Sequence, residues 1–441
     1  MEEDLHEYSK KHSHDFQVAM DKLKAAQKDA EQRIKYDAAH NPELLRSLAV
    51  VANFIRRKGR VCYGGTAMNE ILPDSQKFYD PEVDLPDYDF FTPDVEGDTK
   101  ELVDELQKAG FKDVYNKVGI HEGTKKILVN FSFVADISNI ERGVFQTLAQ
   151  RAVRKNGILY TDPDSLRSMM YLELSRPRGM VTRWEKVFER LELINEQFPV
   201  KSCPGGSWTG SKVPAAVVKQ MYEFLLDENR VLCSGPLEAL YAHGIQKGDA
   251  KLKAVAGGPV IFLSPDIRTD AKSLVVRMTD TEVYFHKAKG DFIPERMEIR
   301  MKGMPVAIAI ADTACHAFYS VPVADDGRVM LVASLELIIS LYLSLAIFTK
   351  QHRGHFDGNP FCRVRKFIQL SHKNYMSKNG QLPAFSTNCK GYQKGFPSLL
   401  REKMLRILRQ KAAGKQRGST TRAQRKSKGR TKKRRLLNTS E

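Results

Sequence analysis

Three stretches carry residue types that could do chemistry together: Gly64-Gly65-Thr66, the pair Asp87 and Asp89, and Asp136. Residues two apart on a strand point to the same side, so Asp87 and Asp89 present two carboxylates to one face. Asp136 on a neighbouring strand would complete a group of three. Carboxylates this close repel one another unless divalent cations neutralise them. Oxygen ligands alone, with no His or Cys in the set, favour magnesium or manganese over zinc. Two such ions roughly 3.5–4 Å apart can activate an attacking hydroxyl and steady a leaving pyrophosphate in an in-line displacement. Gly64 and Gly65 let backbone N–H groups close on phosphate oxygens, and Thr66 adds a hydroxyl at a helix start. An isolated Asp-x-Asp is usually a solvated turn. Here two Phe follow it in a strand pattern, and the pieces occur in the order the chemistry needs.

Other elements must hold these residues in place. The glycine turn follows a short strand, Val61 to Tyr63, and the Asp pair opens a second strand, Asp87 to Phe91, after a loop with Pro73, Pro81 and Pro86. Lys126 to Asp136 alternates in a way that predicts one long strand, with Ile127, Val129, Phe131 and Phe133 on a dry face. Asn130, Ser132, Val134 and Asp136 would form its wetter face. Upstream, Asn41 as cap, Pro42 at the first position and Gly59 at the end frame a helix with Leu44, Leu48, Val51 and Ile55 buried. Helices dominate from 145 to 230. Thr182 and Glu185 read as a capping box before the apolar face of Trp184, Val187, Phe188, Leu191 and Ile194. A further helix is predicted from Ala215 to Leu226.

The first half reads as if written twice. Phe90 to Val103 overlies Phe262 to Val275 with seven of fourteen residues identical at a constant offset of 172. Gly64-Gly65-Thr66-Ala67 meets Ser234-Gly235-Pro236-Leu237 at an offset of 170, and Phe133 to Asp136 meets Ala309 to Asp312. Order and offset argue for an internal duplication. In the second copy Pro259 and Ile261 replace Asp87 and Asp89, and Pro236 replaces Thr66. Neither Pro nor Ile can ligate a metal, so the second copy would keep the sheet and lose the chemistry.

The chain has 441 residues, 42% hydrophobic and 28% charged, enough for two to three domains and unlike a disordered chain. Of the net charge of +17, 13 basic residues lie between Arg409 and Arg435 with no acid among them. That tail has nothing apolar to bury, and its Arg425, Lys426, Lys428, Arg430, Lys432 and Lys433 suit RNA phosphate or a nuclear address. Nucleic acid is the favoured polyanion over a membrane. Six scattered cysteines make no disulfide framework, and the N-terminus reads as no secretory signal, so a reducing intracellular compartment is expected. His352, His355, Cys362, His372 and Cys389 match no compact zinc finger. Val329 to Phe348 is long enough to span a bilayer, but Glu336, Ser340 and Ser344 share one helix face, which fits a central helix of a soluble domain and no membrane role.

With these residues in hand, the chain resembles the DNA polymerase β-type nucleotidyltransferases, and more narrowly the poly(A) polymerase catalytic subunits of large nucleocytoplasmic DNA viruses. The resemblance rests on Tyr63-Gly64-Gly65-Thr66-Ala67-Met68-Asn69, on Leu85-Pro86-Asp87-Tyr88-Asp89-Phe90-Phe91, and on Tyr171 to Pro177 with Arg183 to Val187. It implies an α+β fold: a catalytic nucleotidyltransferase domain with a mixed sheet and helices over 41–145, then a helical nucleotide- and RNA-contacting region over 146–212. A degenerate nucleotidyltransferase-like α+β domain would fill 213–408, flanked by a helical arm over 1–40 and a basic tail over 409–441. It implies template-independent addition of AMP from ATP to RNA 3′ ends, with two Mg2+ or Mn2+ ions on Asp87, Asp89 and Asp136. Gly64, Gly65 and Thr66 would hold the triphosphate, with Ser175, Arg176, Arg183 and Lys186 as further candidates. One departure is the Pro-containing insert from Leu72 to Val83, which makes the Thr66–Asp87 spacing longer than usual. A homodimer or a processivity subunit, the host cytoplasm and packaging in the particle are implied by the resemblance alone. A transferase with uridylyl or mixed preference, or a non-catalytic RNA-binding scaffold, are the competing readings.

Overall fold

The computed structural model describes residues 13–200, 212–234, 237, 240–241, 251–290, 292–324, 327–349, 360–376 and 384–412. The charged arm is a helix, α1 (Ser13–Ala39), and α2 (Pro42–Lys58) follows as its signals predict. Asn41 Oδ1 accepts from the backbone N–H groups of Glu43 and Leu44, and Gly59 ends the helix at φ +59°. The buried stripe of α2, Leu48, Val51, Phe54 and Ile55, packs into one core with Phe90, Leu102, Ile127 and Ile137.

Seven strands then build the first sheet: β1 (Val61–Cys62), β2 (Tyr88–Thr92), β3 (Val114–Val118), β4 (Thr124–Val129), β5 (Ser132–Asn139), β6 (Val153–Lys155) and β7 (Ile158–Tyr160). Their order is β3-β4-β5-β2-β1-β7-β6, with helices α3 (Gly64–Ile71), α4 (Val95–Lys108) and α5 (Arg142–Arg151) between strands. The sheet therefore runs past residue 145, since β6 and β7 belong to it. The predicted long strand over 126–136 is a hairpin instead. Asn130 and Phe131 take positive φ, +47° and +66°, and turn β4 into β5. An irregularity at Ile127/Leu128 then re-aims the faces, so Phe131 and Phe133 are exposed and Val134 is buried.

Next come α6 (Pro163–Leu174), α7 (Trp184–Gln197), α8 (Ala215–Asp227) and, further along the chain, α9 (Ile267–Arg277). The capping box at Thr182 does not form. Val181–Arg183 is a 3-10 turn, and α7 starts at Trp184 with no side-chain cap. The second sheet is β8 (Val231–Leu232), β9 (Val260–Ser264), β10 (Thr281–His286), β11 (Arg296–Met301), β12 (Met304–Ala311), β13 (His316–Pro322), β14 (Val329–Ala333) and β15 (Cys389–Lys390). Its order, β10-β11-β12-β9-β8-β14-β13-β15, repeats the first sheet with one added edge strand. Strand directions repeat too: β1 with β2 and β8 with β9 are antiparallel, while β1 with β7 and β8 with β14 are parallel. A buried Arg60–Asp98 pair recurs as Arg230–Asp270, each with two hydrogen bonds of 2.6–3.0 Å. The duplication is structural.

Register corrects one detail. Asp89 partners Asp136 across β2 and β5, and Ile261 partners Ile308 across β9 and β12. The counterpart of Asp136 is thus Ile308, and Asp312 lies four residues further on. Pro236 lies outside the described residues.

Helix α6 and α10 (Leu335–Phe348) occupy equivalent places, capped by Asp162 and Ser334. Ser168 Oγ donates to the Ser340 carbonyl at 3.1 Å, and Ser340 Oγ donates back to the Ser168 carbonyl at 2.8 Å. A reciprocal pair of this kind marks a local two-fold axis between the units. The apolar stretch from Val329 splits into β14 and the wholly buried α10, with Glu336 accepting from Tyr375 Oη on α11 (Pro360–Tyr375). Among the described residues no helix is long and apolar enough to cross a membrane. The cysteines depart from expectation at one point: Cys315 and Cys389, 74 residues apart, are disulfide-bonded where β15 joins the edge of β13. Cys389 is therefore no zinc ligand, His372 faces Glu192 at 3.4 Å, and His352 and His355 lie outside the described residues.

Candidate active site

The chain leaves β1, passes Tyr63 and enters α3 at Gly64, whose φ is +71°. No side chain fits there: a Cβ on Gly64 would stand 2.5 Å from Asp89 Oδ2. Two hydrogen bonds fix the turn against the Asp strand. Thr66 Oγ1 donates to the Asp87 carbonyl at 2.8 Å, and the Tyr63 N–H to the Asp89 carbonyl at 2.9 Å. The Thr66 hydroxyl hydrogen is thereby committed to bracing. The leading N–H groups of α3 lack partners within their own helix and carry the positive end of its dipole.

Asp136 stands beside Asp89 on β5, and Asp87 sits one residue before β2. Burial, then the charges of Asp87 and Asp136, push the Asp89 carboxyl up to about 7. Burial and Asp136 also raise Asp87. Lys126, the register partner of Asp136 on β4, forms an ion pair with its Oδ2, while Oδ1 is buried with no hydrogen-bond partner. Among the described residues no three His, Cys, Asp or Glu side chains already converge on one point at ion-binding distance. Lys126 compensates one of the three carboxylates. An unpartnered buried carboxylate oxygen, two acids raised partly by like charge and an all-oxygen donor set fit a hard divalent cation.

A basic face looks toward the acids. Arg183 attracts Asp89 and pairs with Glu173 at 3.4 Å. Burial, then Arg190 and Arg183, push the Lys186 ammonium down. Lys186 and Arg190, four apart, lie on one side of α7, and Arg183 sits in the turn just before it. Arg190 lies 4.3 Å over the Phe78 ring and donates to Tyr79 Oη at 3.1 Å. The Pro-containing insert is folded back, held by Asn69 Oδ1, which accepts from the N–H groups of Phe78 and Tyr79. Tyr79 consequently rests on the glycine turn, where a Cβ on Gly65 would stand 2.2 Å from its hydroxyl and 2.9 Å from Arg190 Nη1.

Gly64, Gly65, Thr66, Asp87, Asp89 and Asp136 thus come together, and Lys186 joins the basic face. Ser175 and Arg176 do not belong to the group. Ser175 is fully buried at the end of α6, its hydroxyl on the Leu172 carbonyl and its own carbonyl accepting from Ala317 of β13. Arg176 acts on Glu173, Asp312 and His316. Both residues serve the junction with the second sheet. The tail residues Arg425, Lys426, Lys428, Arg430, Lys432 and Lys433 lie outside the described residues. Sequence reasoning missed Lys126, Tyr79 and Arg190. Arg190 was visible as the next turn after Lys186, whereas Lys126 meets Asp136 only once the hairpin is known.

Residues 49–180 match the family model of the poly(A) polymerase catalytic subunit. The expected resemblance is there, over the part that holds the glycine turn and all three carboxylates. Two relatives, both called putative poly(A) polymerase catalytic subunit, come from African swine fever virus (isolate Tick/Malawi/Lil 20-1/1983) and Acanthamoeba polyphaga mimivirus. The first is 29% identical over 214 residues, covering 45% of this chain and 45% of its own. The second is 31% identical over 196 residues, covering 43% of this chain and 33% of its own. The chain thus spans less than half the length of these curated relatives. The fold is that of the Megavirus polyadenylate synthase crystal structure, with a TM-score of 0.70 at 21% identity over 91% of this chain and 84% of that one.

Proposed function

We propose that the chain is a template-independent polynucleotide adenylyltransferase, transferring AMP from ATP to RNA 3′ ends. The observation that carries this reading is Asp89 and Asp136 in register, with Asp87 beside them, against the start of α3. Asp87, Asp89 and Asp136 would hold two magnesium or manganese ions, which when bound acidify the 3′ hydroxyl and stabilise charge on the leaving pyrophosphate. The chain's own groups do the rest. The α3 N–H groups at Gly65 and Thr66 receive phosphate oxygens, and Lys186, Arg183 and Arg190 offset the triphosphate charge. Lys126 pairs with Asp136 in the empty site and releases it as the site loads. The C-terminal tail adds sequence-blind affinity for RNA. A second copy or a processivity subunit, and the host cytoplasm as location, complete the proposal.

The test is extension of a short labelled RNA with magnesium and each NTP separately, beside Asp87→Ala/Asp89→Ala. Long tails from ATP alone, lost in the variant, are expected. Extension from UTP or from all four would overturn the adenine preference, and RNA binding without extension would overturn the enzyme.

A further inference from the structure

The hairpin that replaced the predicted strand puts two aromatic side chains in water for no structural reason. Phe131 is 73% exposed at its tip and Phe133 50% exposed beside it, with Tyr115 of β3 at 42%. Phe131 also holds φ +66°, a conformation that a bulky residue seldom adopts and that hairpin turns normally give to Gly. Tyr115 and Phe131 lie 5.7 Å apart, and the Lys126 ammonium sits 5.1 Å over the Phe133 ring.

Register shows where this aromatic group leads. Lys117, Lys126, Asp136 and Asp89 are successive partners across β3, β4, β5 and β2, so they form one row on one face. Tyr115, Leu128 and Phe133 form the adjacent row. The irregularity between Ile127 and Leu128 is what brings Phe133 onto the face of Asp136. A cationic row flanked by exposed rings, ending at the carboxylates, matches one ligand class. Single-stranded nucleic acid binds by backbone phosphate on cations and bases stacked on aromatic faces, without sequence preference. The proposed reaction must bring a free 3′ end to Asp136.

We propose that the β4–β5 hairpin is the acceptor track: bases of the RNA 3′ end stack on Phe133 and on the Tyr115–Phe131 pair, while Lys117 and Lys126 carry its phosphates. The track rests on the transferase reading for its direction, but RNA binding there can be measured without turnover.

The experiment uses the full chain and a 5′-labelled oligoribonucleotide with 4-thiouridine near its 3′ end. Without nucleotide, crosslinks are expected on Tyr115, Phe131 or Phe133. In extension assays Phe133→Ala and Phe131→Ala should raise the acceptor KM about tenfold, with the KM for ATP unmoved, as loss of one stacked base predicts. Phe133→Tyr should restore binding. Phe285→Ala, an exposed ring on β10 of the second sheet, is the control and should change nothing. Both Phe are exposed, so thermal melts should coincide with wild type. Crosslinks at the hairpin without any extension would leave the track standing and defeat the transferase reading. Extension with unchanged acceptor KM in both alanine variants, and crosslinks elsewhere, would defeat the track.

Discussion

Replacing Asp89 by Asn should stabilise the metal-free protein while abolishing its chemistry, and the stabilisation should depend on pH. Asp89 is pushed from its ordinary 3.8 up to about 7 by burial and by Asp87 and Asp136. A carboxyl whose folded pKa is raised favours the protonated fold, so its ionisation costs stability. The cost is absent below pH 3.8, grows as pH rises, and is complete above about 7. Three units at about 1.4 kcal/mol each give a penalty on the order of 4 kcal/mol at pH 8. Asn keeps the shape and never ionises. In urea with a chelator, Asp89→Asn should therefore melt later than wild type at pH 8, with the gap closing toward pH 4. Magnesium should raise the wild-type midpoint and leave the variant nearly unmoved, because the cation offsets the same charge. Equal stability at both pH values, or a variant that is weaker at pH 8, would refute the claim that these carboxylates are held against their own repulsion.

Gly65→Ala puts a Cβ 2.2 Å from the Tyr79 hydroxyl, so it should raise the KM for ATP at least about tenfold, and Tyr79→Phe in the same chain should recover part of the loss. Arg230→Met removes both side-chain hydrogen bonds of buried Asp270 and should cost about 3 kcal/mol in denaturant unfolding; Arg60→Met should cost less, because Asp98 keeps the Thr92 hydroxyl at 2.6 Å and Lys58 at 3.5 Å. Truncation after Leu408 removes 13 basic residues and should lower the slope of log affinity against log salt for RNA, with extension at saturating RNA preserved.

What could be read from the sequence was set by range. Local signals held where their partners were local: Asn41, Pro42 and Gly59 frame α2, and the glycine turn and the Asp pair sit as their spacing implied. The 172-residue offset matched β9 to β2 before any strand was placed, whereas the match of Asp136 with Asp312 was four residues out and only the pairing of Ile308 with Ile261 corrected it. The misses are competitions that only the fold decides. Alternation over 126–136 could not reveal that Asn130 and Phe131 reverse the chain, because the residues on each side keep a strand pattern. Thr182 and Glu185 have the right spacing for a cap, yet the 3-10 turn at Val181–Arg183 takes the backbone first. Ser175 and Arg176 read as site residues from a phrase, and packing against β13 claims them.

The two units carry the same row of positions to opposite ends. In the first, the partners across four strands are Lys117, Lys126, Asp136 and Asp89; in the second they are Tyr284, Glu298, Ile308 and Ile261. Both isoleucines are buried to 1% exposure in the core that joins the units. Where the first unit bears the strain of clustered acids, the second has filled the space with hydrocarbon, worth about 1.5–3 kcal/mol for each buried side chain. The reciprocal Ser168–Ser340 bonds then brace the strained unit against the packed one. An Ile308→Asp substitution should accordingly unfold the second unit, leaving the first sheet without its support. Gain of metal binding there is not expected, because Ile261 and Pro259 offer no ligand and the neighbouring Glu298 is already paired with Arg300 and His286. A soluble Ile308→Asp protein with wild-type melting would show that the second unit is not the brace this geometry makes it.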